Sequence, residues 1–190
     1  MTDLQFTLED RHTFGKIQID SQLAYRMGVG LLGAQKDESN LPDAVPTARY
    51  RIATVDLGVS APLGGALAYR GTFHAQISNH MLFGSDQVSL GGPYTVRGYD
   101  SDHALLGRSG WYLRQEVSLG VSRLIQPYAL VDTGGVRDGG ETPVGLGGGI
   151  RAAWKGFNLD MFAAVPVTAA KKPVSGNRVG EVGITAGWGF

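Results

Sequence analysis

The chain has 190 residues, 43% of them hydrophobic and 18% charged, with a formal net charge of zero. That balance suits one folded domain and excludes an intrinsically disordered chain; with no basic block, nucleic acid is not an expected partner. There is no cysteine, which excludes disulfide frameworks and thiolate metal sites, and no run of about 18 apolar residues that would make a transmembrane helix. Glycine accounts for 29 residues, a load that is costly in helices but common in strand-rich chains with tight turns. The opening stretch, Met1 to Phe6, lacks the basic and apolar regions of a signal peptide, so a mature fragment or truncated chain is expected.

In chain order the dominant signal is alternation with a period of two, the spacing that sends successive strand side chains to opposite faces. Residues 3–9 read as the tail of a strand. Residues 16–26 set Ile17, Ile19, Leu23 and Tyr25 against Gln18, Asp20, Gln22 and Arg26. After the polar stretch 28–48, residues 52–61 set Val55, Leu57 and Val59 against Thr54, Asp56, Gly58 and Ser60. Residues 62–65 read as a short turn. Residues 67–78 oppose Leu67, Tyr69, Phe73 and Ile77 to Arg70, Thr72, His74, Gln76 and Ser78. A long connection, 79–110, leads to a strand at 112–122, where Leu113, Val117, Leu119 and Val121 face away from Arg114, Glu116, Ser118, Gly120 and Ser122. A short turn at 124–127 precedes a strand at 128–134. Across 144–154, Val144, Leu146, Ile150 and Trp154 oppose Gly145, Gly147, Gly149 and Arg151. After Lys155 and Gly156, residues 157–165 set Phe157, Leu159, Met161 and Val165 against Asn158 and Asp160. Past the connection 166–180, the last strand carries Val182, Ile184, Ala186, Trp188 and Phe190 on one face and Glu181, Gly183, Thr185, Gly187 and Gly189 on the other.

These eight or nine antiparallel strands are of roughly the length that a tilted strand needs to cross a bilayer, and short connections alternate with long polar ones, as in transmembrane barrels. A soluble sandwich or lipocalin-like barrel alternates as well, because the pattern alone does not tell inside from outside. The loop asymmetry, the bare glycines on the polar face, and the aromatics Tyr69, Trp111, Trp154, Trp188 and Phe190 as interfacial girdles favour an all-β, transmembrane, porin-like barrel in contact with outer-membrane lipid. A final strand that alternates through Trp188 and ends on Phe190 resembles the targeting signal of bacterial outer-membrane barrels, which implies the barrel-assembly machinery as a partner during insertion.

The stretch from Ser85 to Tyr99 is the most distinctive. Leu90-Gly91-Gly92, then Val96-Arg97-Gly98-Tyr99, then Gly107 to Glu116 resemble the two-partner secretion translocators, the haemolysin secretion/activation family within the outer-membrane insertase superfamily. The resemblance covers residues 16–190 and is most specific at 85–116; five strands follow the loop here, as they do in that family. It implies a sixteen-stranded barrel preceded by two periplasmic domains and a plug helix, of which residues 1–190 would be the C-terminal barrel part. It also implies export of an unfolded partner polypeptide of haemolysin or adhesin type. In the family the tetrad loop folds into the lumen, and its Arg pairs with an Asp in an aromatic-x-Asp-x-Gly pattern two strands on. Here the matching residues are Leu130, Asp132 and Gly134, with Leu in the aromatic position. On the residues themselves, an Arg carried into a restricted lumen needs an anionic partner, and a carboxylate offers two oxygens to its planar fork. Asp132 and Glu116 are both on the lumen face. Gly98 permits a backbone turn closed to other residues.

No enzyme is read from the chain. His12, His74, His80 and His103 lack metal-ligand spacing, and there is no Gly-x-Ser-x-Gly elbow. Gly145 to Gly149 is followed by no Lys-Ser/Thr and no helix, so it is strand glycine rather than a phosphate loop. No cofactor or metal is expected. Asp37-Glu38, Arg137-Asp138 and Lys171-Lys172 read as solvated loop charge. Two other readings are a small structural or adhesive barrel that conducts nothing and a membrane-protein insertase.

Overall fold

The computed structural model describes residues 2–31, 37, 42, 45–122, 124–137, 139–140, 142–167 and 180–189. Eleven strands follow in chain order: β1 (Asp3–Phe14), β2 (Ile17–Gly28), β3 (Arg51–Gly64), β4 (Leu67–Ile77), β5 (Val88–Leu90), β6 (Leu105–Gly107), β7 (Gly110–Leu119), β8 (Ile125–Val136), β9 (Val144–Trp154), β10 (Phe157–Pro166) and β11 (Glu181–Trp188). Nine of them form one antiparallel meander, β1-β2-β3-β4-β7-β8-β9-β10-β11, which is not closed. β5 and β6 pair only with each other, as a small hairpin inside the loop between β4 and β7. This hairpin was not expected. Three-residue strands carry too little alternation to be seen in a sequence.

The connections sort by length. Residues 15–16, 65–66, 120–124 and 155–156 join strands at one end of the sheet, and 29–50, 78–109, 137–143 and 167–180 join them at the other. Some boundaries differ from the expectation. β3 runs through Pro62 to Gly64 because a register shift between those two residues absorbs the proline. Ile125 to Pro127, expected in a turn, pair with Ala152 to Ile150 and belong to β8. Val121, expected on the lipid face of a strand, lies past the end of β7 in the turn.

Burial settles inside and outside. The apolar face of the wall is the bare one, with Val182 73% and Ile184 68% exposed. The polar face holds the buried residues, with Asp132 0% and Glu116 7% exposed, and the loop residue Arg97 docked on it is 2% exposed. A soluble barrel has the opposite arrangement. Val55, Leu57, Leu119, Leu159, Val182 and Ile184 share the outward face, as the register of each strand requires. Phe157 and Trp188 pair at the short-turn end, ring centroids 6.2 Å apart, and Phe73 approaches Trp111 near the other end at 6.5 Å. Aromatics at both ends of an apolar band are the arrangement that two membrane interfaces select. The small apolar clusters lie on the polar side, under the loops: Tyr50, Ile52 and Leu82; Val88, Leu90 and Val96; Tyr128, Leu130 and Ala164.

One loop charge was misread. Asp37 accepts hydrogen bonds from the Thr47 hydroxyl at 2.5 Å and the Ala48 amide at 2.8 Å, so it ties the β2–β3 connection together rather than standing free in solvent. Glu38, Asp138, Lys171 and Lys172 lie outside the described residues.

Candidate functional site

The loop 78–109 turns back onto the polar face and is held there at several levels. Locally, the Gly91 amide donates to the Thr95 hydroxyl at 2.9 Å, and the Gly92 amide donates to the Tyr99 carbonyl at 2.7 Å. These bonds close the turn that carries the tetrad. Val96 is fully buried with Val88 and Leu90, and Tyr99, Leu105, Tyr112 and Val136 pack around them. Gly134 on β8 leaves the space for this cluster: a Cβ there would stand 2.8 Å from the Trp111 carbonyl oxygen and 3.1 Å from Leu90.

Arg97 forms the clamp. Its Nε donates to Asp132 Oδ2 at 2.6 Å and its Nη2 to Oδ1 at 2.8 Å, a bidentate pair. The Arg97 amide also donates to Oδ2, at 3.1 Å, so one carboxylate holds both side chain and backbone. Nη1 reaches Glu116 Oε1 at 2.6 Å. Both carboxylates that the sequence offered as partners are therefore used at once. Two carboxylates for one guanidinium offset the cost of taking these charges out of water, and removing either partner strands a buried charge.

The next residues fix the loop backbone. Gly98 has φ +95°, a conformation that other L residues rarely adopt, and its amide donates to Glu181 Oε2 on β11 at 3.0 Å. The Tyr99 hydroxyl donates to the Val144 carbonyl at 3.3 Å and accepts from the Val144 amide at 3.2 Å. Val96, Arg97, Gly98, Tyr99, Asp132, Gly134 and Glu116 are thus brought into one site. Trp188 is remote, exposed at the short-turn end, and Phe190 lies outside the described residues. In the aromatic position of the pattern, Leu130 is 1% exposed, and the ring nearest Arg97 comes instead from Phe162 on β10, 5.8 Å from the guanidinium carbon.

The charge network extends further than the sequence reading foresaw. Glu116 Oε2 pairs with Arg151 Nη2 at 2.6 Å, and Arg151 Nε pairs with Asp160 Oδ2 at 3.0 Å. The Tyr128 hydroxyl donates to Asp160 Oδ1 at 2.7 Å, and Arg151 stacks over the Tyr128 ring at 4.1 Å. Asp132, Arg97, Glu116, Arg151 and Asp160 therefore alternate in sign across four strands and the loop. One signal could have found part of it: the two-residue turn at 155–156 makes Arg151 and Asp160 direct cross-strand partners. His74 is a wall residue, 2.6 Å from Asp56 Oδ1 and stacked on Tyr112.

Residues 1–152 match the family model described as Haemolysin secretion/activation protein ShlB/FhaC/HecB. The chain belongs to this family. Outer membrane transporter CdiB-2 of Burkholderia pseudomallei (strain 1026b) is 34% identical over 182 residues, 87% of this chain and 31% of the relative. CdiB from Acinetobacter baumannii superposes with a TM-score of 0.78 at 26% identity, over 96% of this chain and 32% of that one. CdiB from Escherichia coli superposes with a TM-score of 0.82 over 97% of this chain and 35% of that one; at 22% identity this likeness speaks for the fold alone. The chain spans about a third of the length of these relatives. As a member of this translocator family it is an outer-membrane β-barrel chain.

Proposed function

We propose that residues 1–190 form the C-terminal part of an outer-membrane barrel that exports an unfolded partner polypeptide, and that the loop 78–109 is an obstruction held inside it by the arginine clamp. The observation that carries this reading is the buried bidentate pair between Arg97 and Asp132. A loop of this length could hang in outside solvent. Instead it spends two wall carboxylates and a conformationally special glycine on staying inside. Passage of an extended polypeptide needs no catalytic residue. It needs a polar wall that keeps water and offers exchangeable hydrogen bonds, and Gln18, Thr54, Thr72, Asn158 and Thr185 are wall residues of that kind on the inward face. In this reading Trp188 and Phe190 serve insertion, through the barrel-assembly machinery, rather than transport.

The test uses the full-length gene expressed with its secreted partner. Arg97→Ala and Asp132→Ala are each expected to lower the amount of partner released, while the barrel still reaches the outer membrane and keeps its heat-modifiable migration. Normal release by both variants would overturn the anchored-loop mechanism.

A further inference from the structure

Beside the clamp lies a small cavity of about 160 Å³ lined by Arg70, Thr72, Arg114, Glu116 and Arg151. β4 and β7 build most of it as a square on the inward face, with Arg70 directly opposite Glu116 and Thr72 directly opposite Arg114. A space of this size suits one side chain rather than a folded segment.

The charges around it do not balance. Among the described residues, Glu116 supplies the only carboxylate lining the cavity, and both of its oxygens are committed, Oε1 to Arg97 and Oε2 to Arg151. Arg70 therefore stands opposite a carboxylate that is already used, and it forms no ion pair among the described residues. Arg114 gives Nη1 to the Tyr94 carbonyl at 3.2 Å, while its Nε is buried with no hydrogen-bond partner and 4.0 Å from Asp132. The Arg114 Nε is closed off from the cavity, so an arriving carboxylate would make charge-assisted bonds to the Arg70 guanidinium and the remaining Arg114 Nη2. Thr72 adds a hydroxyl donor on the same wall.

We propose that this cavity is an anion subsite of the lumen, which takes the carboxylate of a glutamate or aspartate side chain from a polypeptide inside the barrel, held by Arg70 and Arg114. The inference rests on the reading that polypeptide occupies this lumen. Because Glu116 itself lines the subsite, an acidic side chain there would sit next to the clamp and share its field. The subsite would then meet acidic positions of an extended chain one at a time. It would slow or register them, not grip the whole chain.

Its test is a binding measurement that does not depend on secretion. A fluorescein-labelled Gly-Ser peptide bearing a single glutamate, and the same peptide with glutamine, are titrated by anisotropy against the full-length protein in detergent micelles at low salt. The glutamate peptide is expected to bind more tightly, by roughly tenfold, the effect of one charge-assisted bond of about 1.4 kcal/mol. An Arg70→Gln/Arg114→Gln chain should lose that preference, and an Arg70→Lys/Arg114→Lys chain, which keeps both charges, should retain most of it. Equal binding of the two peptides by the parent chain, or a preference that survives the double glutamine substitution, would overturn the subsite. Either result leaves the anchored-loop reading standing, since that one fails only if both Arg97→Ala and Asp132→Ala leave release of the partner unchanged.

Discussion

Gly145 and Arg97 are in direct backbone contact: a Cβ built on Gly145 would stand 1.8 Å from the Arg97 carbonyl oxygen. The loop therefore rests on bare β9 backbone at the tetrad itself. The glycines of β9 make a flat stretch of wall onto which the loop and Tyr128 fit, since a Cβ at Gly149 would meet the Tyr128 ring at 2.5 Å.

From that contact, Gly145→Ala is expected to lift the loop off the wall. Overpacking a fitted site costs about 1–3 kcal/mol, and here the obstacle is backbone, which yields less than a side chain. Gly187→Ala, on the same face of β11 with nothing within 4 Å of the added Cβ, is the control. Limited proteolysis of folded barrels should show faster cleavage within 78–109 for the first variant and parent-like cleavage for the second.

The two carboxylates on Arg97 should differ in weight. Asp132 accepts three bonds from Arg97 and is fully buried, whereas Glu116 accepts one and keeps Arg151 as a second partner. Asp132→Ala is expected to destabilise the docked loop by about 3–5 kcal/mol, as breaking a buried pair does, and Glu116→Ala by less. The swap Arg97→Asp with Asp132→Arg should rescue poorly, because the new carboxylate would face Glu116. Denaturant unfolding of the single and double variants, read as a mutant cycle, checks the ranking. A Glu116→Ala variant weaker than Asp132→Ala would contradict it.

On the outward apolar face, depth decides cost. Ile184 pairs with Met161 in the middle of β10 and β11, and Leu119 is the last residue of β7, paired with Leu67 at the short-turn end. An arginine at the bilayer midplane costs about 2–4 kcal/mol and near an interface about 0–1. Ile184→Arg should therefore cut the yield of folded barrel in vesicles sharply, and Leu119→Arg should hardly change it. Equal effects would place the band differently on the wall.

Asp37 predicts a pH effect in the β2–β3 connection. The Thr47 hydroxyl, then the Ala48 amide, stabilise its charged form and hold its carboxyl below the usual carboxylate range. A lowered folded pKa means the contribution is present above the ordinary carboxylate range and lost as pH falls through the lowered value. Tryptic cleavage at Arg49 is expected to be slow at neutral pH in the parent chain. In Asp37→Asn it should be faster at that pH. NMR titration of the Thr47 and Ala48 amides should show the acid midpoint move below that of a free aspartate; a midpoint at or above it would count against the tie.

The sequence alone determined the wall and the names of the clamp residues. Period-two alternation is a local property, so the polar and apolar faces of the wall strands from β2 onward could be assigned from it, and the two-residue turn at 155–156 sets the register of its hairpin. The tetrad Val96 to Tyr99 and the Asp132-x-Gly134 spacing marked the clamp through their resemblance to a family. Only the tertiary structure decided which face is inside, because alternation is symmetric and burial is not: Asp132 is enclosed and Ile184 is bare. The structure also decided that Arg97 takes two carboxylates, that Glu181 holds the Gly98 amide from 83 residues away, and that Asp160 extends the network through Arg151. Those contacts join the loop to β7, β8, β9 and β11, and no local pattern records which distant strands a returning loop will touch.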